Sequence, residues 1–248
     1  MPLPVRRKRA TLTEAARWLR SQSILDVGDL VRLDLERERR TGVPEVVIAE
    51  GKRPEAVRAA VRGFLSSRGR AIVTRCPSSL KLTGLGGRVE RHASCGVVVV
   101  RKGPPAPRTG GRIAILTGGA SDVRVAEEAQ VIANELGCDV RREEDVGVAA
   151  LARVLMALER LSPWKPHCYI VCAGREGALA PVVAGLVEGP VIGVPVSTGY
   201  GFRGRGEAAL STMLQSCSPL VTVNIDAGFV AAAVAAQVAN RAARAEKA

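Results

Sequence analysis

From Arg112 onward the chain alternates short apolar runs with helix-length segments, and this constrains its fold more than any other feature. Arg112–Thr117 is an apolar run that stops at Gly118-Gly119-Ala120-Ser121-Asp122. A helix follows, with Ala126, Ala129, Ile132, Ala133 and Leu136 on one face and Gly137 as its stop. Strand segments at 139–142, 167–172, 190–196 and 220–225 alternate with helical segments at 148–160, 177–187 and 207–216. An apolar helix over 227–241 closes the pattern. This order predicts an α/β fold with a doubly wound parallel sheet. Continuous apolar strands such as Val191-Ile192-Gly193-Val194 fit burial on both faces. Ligands of such sheets sit beyond the carboxyl ends of the strands. Here those ends carry Gly118-Gly119, Ala173-Gly174 and Ser197-Thr198-Gly199.

The preceding residues read as a smaller α/β module. Residues 1–10 form a basic arm, and Thr11–Ser21 and Leu30–Arg40 have helical spacing, the second ending at Thr41-Gly42. Glu45–Ala49 is strand-like, and Pro54 opens a helix carrying Ala56, Val57, Ala60, Val61, Phe64 and Leu65. Arg70–Thr74 and Gly96–Val100 are strand-like. Residues 101–111, with three prolines and three glycines, read as a linker between a module at 11–100 and a domain at 112–248.

Charge divides at the same place. The whole chain of 248 residues carries a formal +12, which first points to nucleic acid. Residues 1–110 hold 23 of the 36 basic and 10 of the 24 acidic residues, a net of +13, which leaves −1 for the rest. The basic half has few aromatics and no recognisable nucleic-acid motif, so no nucleic-acid partner is expected. An apolar fraction of 47% excludes a wholly disordered chain. No 18-residue uncharged apolar run or secretory signal core occurs, so a cytoplasmic protein without a membrane partner is expected.

Candidate chemistry gathers at the strand ends. Gly118-Gly119-Ala120-Ser121-Asp122 follows a strand and opens a helix. Its small residues allow close backbone approach, and a helix N-terminus favours an anion. Ser121 then suits a phosphate and Asp122 a ribose hydroxyl, but the same residues also suit a tight turn with an N-cap. Glu176 lies just past a strand end, as a proton acceptor or as a first-turn Glu facing the helix dipole. Cys217 closes the helix 207–216 and is a nucleophile if its thiol is activated. The other five cysteines read as small buried hydrophobes. Cys168 and Cys172, four apart, lack a zinc pattern, and His92 and His167 are isolated, so no metal site is marked.

The segments LTGGASDVRVAEEAQVIANELG, VCAGREGALAPVVAGLVEGPVIGVPVSTGYG, ALSTMLQSC and VTVNIDAGF resemble the phosphoribosylaminoimidazole carboxylase/mutase family of purine synthesis. That family carries a histidine where this chain has Ala178, another where it has Asp145-Val146-Gly147-Val148-Ala149, and a proline at Cys217. The proton-handling residues are therefore replaced, and a nucleophile has appeared. Arg40-Thr41-Gly42-Val43-Pro44-Glu45-Val46, Gly51-Lys52-Arg53-Pro54-Glu55, Asp145 to Ala149, Glu176 to Ala180, Gly199-Tyr200-Gly201, Ser216-Cys217 and Asn224 to Phe229 resemble a related family. These are the pyridinium-3,5-biscarboxylic acid mononucleotide synthases, which begin synthesis of the nickel-pincer nucleotide cofactor.

That resemblance implies carboxylation of nicotinic acid adenine dinucleotide at C5 of its pyridinium ring and hydrolysis of its phosphoanhydride, releasing AMP. Cys217 is the implied nucleophile at C4 and Glu176 the implied base. The implied substrate-binding set is Gly118, Gly119, Ser121, Asp122, Asp145, Gly147, Ala173, Gly174, Gly177, Ser197, Thr198 and Gly199. No tightly bound cofactor is implied. Carbon dioxide or bicarbonate is the co-substrate, and Mg²⁺ is an open addition. A homo-oligomer is expected, with a functional link to downstream sulfur- and nickel-inserting enzymes. The competing expectations are an aminoimidazole ribonucleotide carboxylase/mutase and, of another class, a basic nucleic-acid-binding protein.

Overall fold

The computed structural model describes Thr11 and residues 24–247. The expected basic arm, and the expected helix beyond Thr11, lie outside the described residues. The chain divides into two compact units. One runs to Glu90 and includes Val98–Gly103; the other includes Arg91–Val97 and everything from Pro104. Residues 104–111 carry no helix or strand.

In the first unit β1 (Ile24–Val27) and β2 (Val31–Asp34) form an antiparallel hairpin. Its three-residue turn begins at Gly28, whose φ of 54° lies in the left-handed region. The helix expected from Leu30 is corrected here: 31–34 is strand, and only Arg37–Thr41 is helical (α1). Val31, Leu33 and Leu35 alternate with Arg32, Asp34 and Glu36, a period of two that is easily misread next to an Arg/Glu-rich helix. The core decides the outcome. Leu33 is buried and packs over Gly63, where a side chain would overlap it.

Gly63 belongs to α2 (Pro54–Arg68), which starts with Pro54 in its first turn and ends at left-handed Gly69. It buries Val57, Val61, Phe64 and Leu65. Beneath it β3 (Val47–Ile48), β4 (Arg70–Thr74), β5 (Arg88–His92) and β6 (Val97–Arg101) form a sheet in the order β3-β4-β6-β5. Strand β5 had no sequence signal, because Arg88-Val89-Glu90-Arg91-His92 offers a single apolar residue.

The second unit is a five-stranded parallel sheet. Its strands are β7 (Arg112–Thr117), β8 (Asp139–Glu143), β9 (Cys168–Ala173), β10 (Val191–Pro195) and β11 (Leu220–Thr222), in the order β11-β10-β9-β7-β8. It is the doubly wound α/β sheet that the sequence predicts. One face carries α4 (Leu151–Leu161), α5 (Leu179–Ala184) and α6 (Glu207–Leu214). Val154, Leu179, Val183 and Met213 from these helices meet Leu116, Val171 and Val191 from the sheet. The other face carries α3 (Val123–Glu135) and α7 (Gly228–Ala245). Ala231, Ala232, Ala235, Ala236 and Ala239 are buried on α7, so this helix lies close to its neighbours without large side chains between them. The strand order reverses between β7 and β9, and the loops leaving those two strands go to opposite faces. A crevice at their carboxyl ends follows from that reversal.

An ionic cluster fixes the end of α7. Glu246 accepts from the Arg112 guanidinium (3.0 Å) and from His167 Nε2 (3.0 Å). His167 Nδ1 accepts from the Arg112 backbone N–H (2.9 Å), which leaves Nε2 as the donor. Hydrogen bonds from Arg112, and then from His167, hold the Glu246 carboxyl at about 2, below its ordinary 4.5. A carboxyl lowered in the fold contributes stability above its unfolded value and loses it as pH falls through the folded value. Glu246→Gln is therefore expected to lower Tm at neutral pH, with the gap to wild type closing between pH 4.5 and about 2. Thermal melts across that range check this, and a gap that stays constant contradicts it.

Candidate active site

The crevice forms where three glycine-containing loops meet around one carboxylate. After β7 the chain turns at Gly118-Gly119 and enters a 3-10 turn, Ala120–Asp122, whose last residue opens α3. The Asp122 side chain folds back: its Oδ2 accepts from the Gly119 N–H (3.0 Å). Its Oδ1 accepts from the Thr198 hydroxyl (3.2 Å), which lies beyond β10. The Gly174 amide, beyond β9, also donates to it. Asp122 thus ties the ends of β7, β9 and β10 together. Burial pushes its carboxyl up, opposed by the Gly119 and Gly174 amides and the Thr198 and Ser121 hydroxyls.

The loops approach as closely as their glycines permit. A side chain at Gly147 would lie 2.7 Å from the Gly118 carbonyl, and one at Gly199 would lie 2.8 Å from the Arg175 nitrogen. The loop after β8 is held by hydrogen bonds to Thr117: Val146 N–H donates to its carbonyl (2.9 Å) and Asp145 N–H to its hydroxyl (3.2 Å). Asp145 and Arg175 both take left-handed backbone, with φ of 53° and 47°. This geometry is uncommon for residues with a Cβ and marks tightly determined turns.

Between these loops lies a cavity of about 380 Å³. Of the expected binding residues, Gly118, Gly119, Ser121, Asp122, Gly147, Ala173, Gly174, Gly177, Thr198 and Gly199 line it, together with Glu176. Asp145 does not: its carboxylate is engaged by Arg153 (3.0 Å). Ser197 is also outside, its N–H donated to Asp226 Oδ1 (2.9 Å). The lining residues that the sequence reading missed are Arg175 and Tyr200, with Val148, Ala149, Ala178 and Leu179. Tyr200 stands inside the Gly199-Tyr200-Gly201 motif, which was the available signal.

Cys217 lies elsewhere. It is exposed in a second, more open cavity of about 400 Å³ with Pro181, Ser211, Gln215, Ser216 and Ser218. The Ser216 hydroxyl accepts from the Ser218 N–H (3.0 Å), and this holds the turn that presents the thiol. Glu176 stands just before α5, and Cys217 shares its cavity with Pro181 within α5. Both residues therefore flank one short helix but open into different cavities of a single chain. The other five cysteines are buried. Burial pushes the thiols of Cys95 to about 11 and of Cys138 and Cys168 to about 12, and Cys172 higher still. Among the described residues no group of three His, Cys, Asp or Glu side chains is arranged to hold a metal ion, and no helix is long and apolar enough to cross a membrane.

Residues 112–247 match the AIR carboxylase family, and residues 24–82 match a LarB/PurE-like N-terminal domain. An uncharacterized protein of Methanocaldococcus jannaschii is 34% identical over 237 residues, covering 92% of this chain and 91% of that one. The N5-carboxyaminoimidazole ribonucleotide mutase of the same organism is 34% identical over 127 residues, 51% of this chain and 77% of the mutase. A probable N5-carboxyaminoimidazole ribonucleotide mutase of Methanothermobacter thermautotrophicus is 33% identical over 131 residues, which span 51% of this chain and 37% of that protein.

If Asp122 locks the loops, removing it has a measurable cost. Asp122→Ala strands the Gly119 and Gly174 amides and is expected to lower unfolding free energy by about 1–3 kcal/mol. Thr198→Val, at a more open position, is expected to cost less. Urea denaturation measures both, and a stability for Asp122→Ala equal to wild type contradicts this role.

Proposed function

The chain belongs to the AIR carboxylase family, and from that premise we propose that it carboxylates the pyridinium ring of nicotinic acid adenine dinucleotide at C5 and hydrolyses the phosphoanhydride to release AMP. Family membership alone supports carboxylase or mutase chemistry on a nucleotide. The finer reading is carried by one observation: the single exposed thiol among six cysteines, Cys217, stands beside the helix that Glu176 precedes. The match of residues 24–82 to a LarB/PurE-like N-terminal domain supports it further.

The ring explains the need for a thiol. A pyridinium is electron-poor, so its C5 does not attack carbon dioxide. Addition of the Cys217 thiolate at C4 gives a dihydropyridine whose C5 is enamine-like. C5 then donates its electron pair to carbon dioxide, forming the new C–C bond. Glu176 takes the C5 proton, the C4–S bond breaks, and the thiolate leaves as the ring regains aromaticity. Water cleaves the phosphoanhydride in a separate step. The glycine-turn amides of the first cavity suit the phosphate and carboxylate groups. No tightly bound cofactor enters this scheme, and Mg²⁺ stays an open addition.

C4 and C5 are adjacent atoms, so the thiol and the carboxylate must reach one ring. On one chain they open into separate cavities. We therefore read the working site as one completed by a second copy of this chain, whose Cys217 cavity faces the first copy's Glu176 cavity.

A second reading is favoured by the 34% identity to the N5-carboxyaminoimidazole ribonucleotide mutase: isomerisation or carboxylation of an aminoimidazole ribonucleotide. Ala178, where that family carries histidine, stands against it.

Incubation with the dinucleotide, bicarbonate and Mg²⁺ is expected to yield AMP and a dicarboxylated mononucleotide. Turnover of aminoimidazole ribonucleotide instead establishes the second reading. Cys217→Ala is expected to lower kcat by about 10³-fold or more, and Glu176→Gln by about 10²–10⁴-fold. Mixing these two inactive variants after mild dissociation is expected to restore part of the activity. Mixtures that stay inactive, although the subunits exchange, contradict a site shared between copies.

A further inference from the structure

The chain is poor in aromatics, with two Trp, two Tyr and three Phe. Two of those seven, Tyr200 and Phe202, stand in one loop beyond β10, and both project into solvent, at 77% and 93% exposure. Each ring has an arginine over its face: Arg175 at 4.3 Å from the Tyr200 centroid and Arg203 at 5.9 Å from that of Phe202. The loop is not slack. Arg205 N–H donates to the Gly199 carbonyl (2.9 Å), Gly204 N–H to Gly201 (3.1 Å) and Ala208 N–H to Arg203 (2.9 Å). Arg203 and Arg205 take left-handed backbone, with φ of 51° and 57°. Gly199 lets this loop touch the Arg175 backbone, which brings the guanidinium over the ring. An ordered loop that holds large rings open to solvent presents them to something outside the fold.

Tyr200 is the single aromatic residue lining the 380 Å³ cavity, and it stands at the rim with Arg175. The interior is built from glycine turns and aliphatic side chains, and offers amides but no aromatic face. A dinucleotide has one ring inside such a pocket and another that must rest outside it. Stacking on an aromatic face, with a guanidinium alongside for the phosphates, is how proteins hold a base without reading its edges.

We infer that Tyr200, braced by Arg175, is the stacking platform for the adenine of the dinucleotide's AMP half, and so selects a dinucleotide over a mononucleotide. This deepens the proposed function and rests on it for the identity of the second ring.

Calorimetric titration tests it with two probes, AMP and nicotinic acid mononucleotide, against wild type, Tyr200→Ala and Tyr200→Phe. In Tyr200→Ala the AMP Kd is expected to rise about 10-fold. Tyr200→Phe restores it, mononucleotide binding is unchanged, and sedimentation shows the same assembly as wild type. An AMP affinity indifferent to Tyr200→Ala, or no AMP binding by wild type, overturns the platform. So does a Tyr200→Ala protein that changes assembly and weakens both probes together, which would make the loop a contact between copies. AMP binding that depends on Tyr200, in a protein that does not convert the dinucleotide, refutes the proposed reaction and leaves the platform standing. Full turnover with an AMP site indifferent to Tyr200 refutes the platform alone.

Discussion

The buried carboxylate of Asp122 is the interaction on which the rest of the second unit depends. A carboxylate taken out of water is costly unless donors meet it. Here the donors come from three separate loops: the Gly119 amide after β7, the Gly174 amide after β9 and the Thr198 hydroxyl after β10. Satisfying that one group fixes the relative positions of all three. The glycines around it fit closely: a Cβ at Gly118 or at Gly174 would lie 3.2 Å from an Asp122 oxygen. The 380 Å³ cavity is the space these constraints leave at the sheet's reversal point. A sheet of the same order without Asp122 would keep its strands and lose the shape of its crevice.

Much of this was legible in the sequence, for physical reasons that differ by element. Strands β7, β9 and β10 are buried on both faces, so their apolar runs are continuous and their ends are marked by glycine. The glycine turns that line the cavity were legible because a parallel sheet puts them at carboxyl ends. Other features depend on tertiary partners. Residues 31–34 became strand because Leu33 found Gly63. Asp122 suited both a ribose hydroxyl and a tight turn with an N-cap; in the fold both its oxygens are engaged by the protein's own loops, and this depends on a Thr198 seventy-six residues later. Asp145 and Ser197 fall outside the cavity for the same kind of reason, each tied to a neighbour that sequence spacing does not reveal. Five cysteines are buried within the fold, but the division of Glu176 and Cys217 between two cavities follows from where α5 and α6 lie in space.

Net charge, which first points to nucleic acid, explains little of the structure. Of the +13 in residues 1–110, a net of +5 belongs to residues 1–23, of which Thr11 alone is described, with six basic residues and one acidic one. Among the described residues of the first unit many arginines are paired with carboxylates. Arg40 meets Asp34, Arg68 meets Glu36, Arg70 meets Glu38, Arg75 meets Glu50 and Arg101 meets Glu90. Pairs of this kind, open to water on at least one side, contribute little to stability. Arg175 is the arginine that lines the cavity, in a unit whose net charge is close to zero.

The proposed reaction turns on addition of Cys217 to the pyridinium ring. A thiolate adduct at C4 is a dihydropyridine and absorbs in the near ultraviolet, where neither the protein nor the dinucleotide does. Mixing the protein with nicotinic acid adenine dinucleotide in carbon-dioxide-free buffer and recording the difference spectrum tests the claim most directly. The dihydropyridine band is expected with wild type and with Glu176→Gln, and none with Cys217→Ala. A Cys217→Ala protein that shows the same band, or one that converts the dinucleotide as fast as wild type, contradicts it.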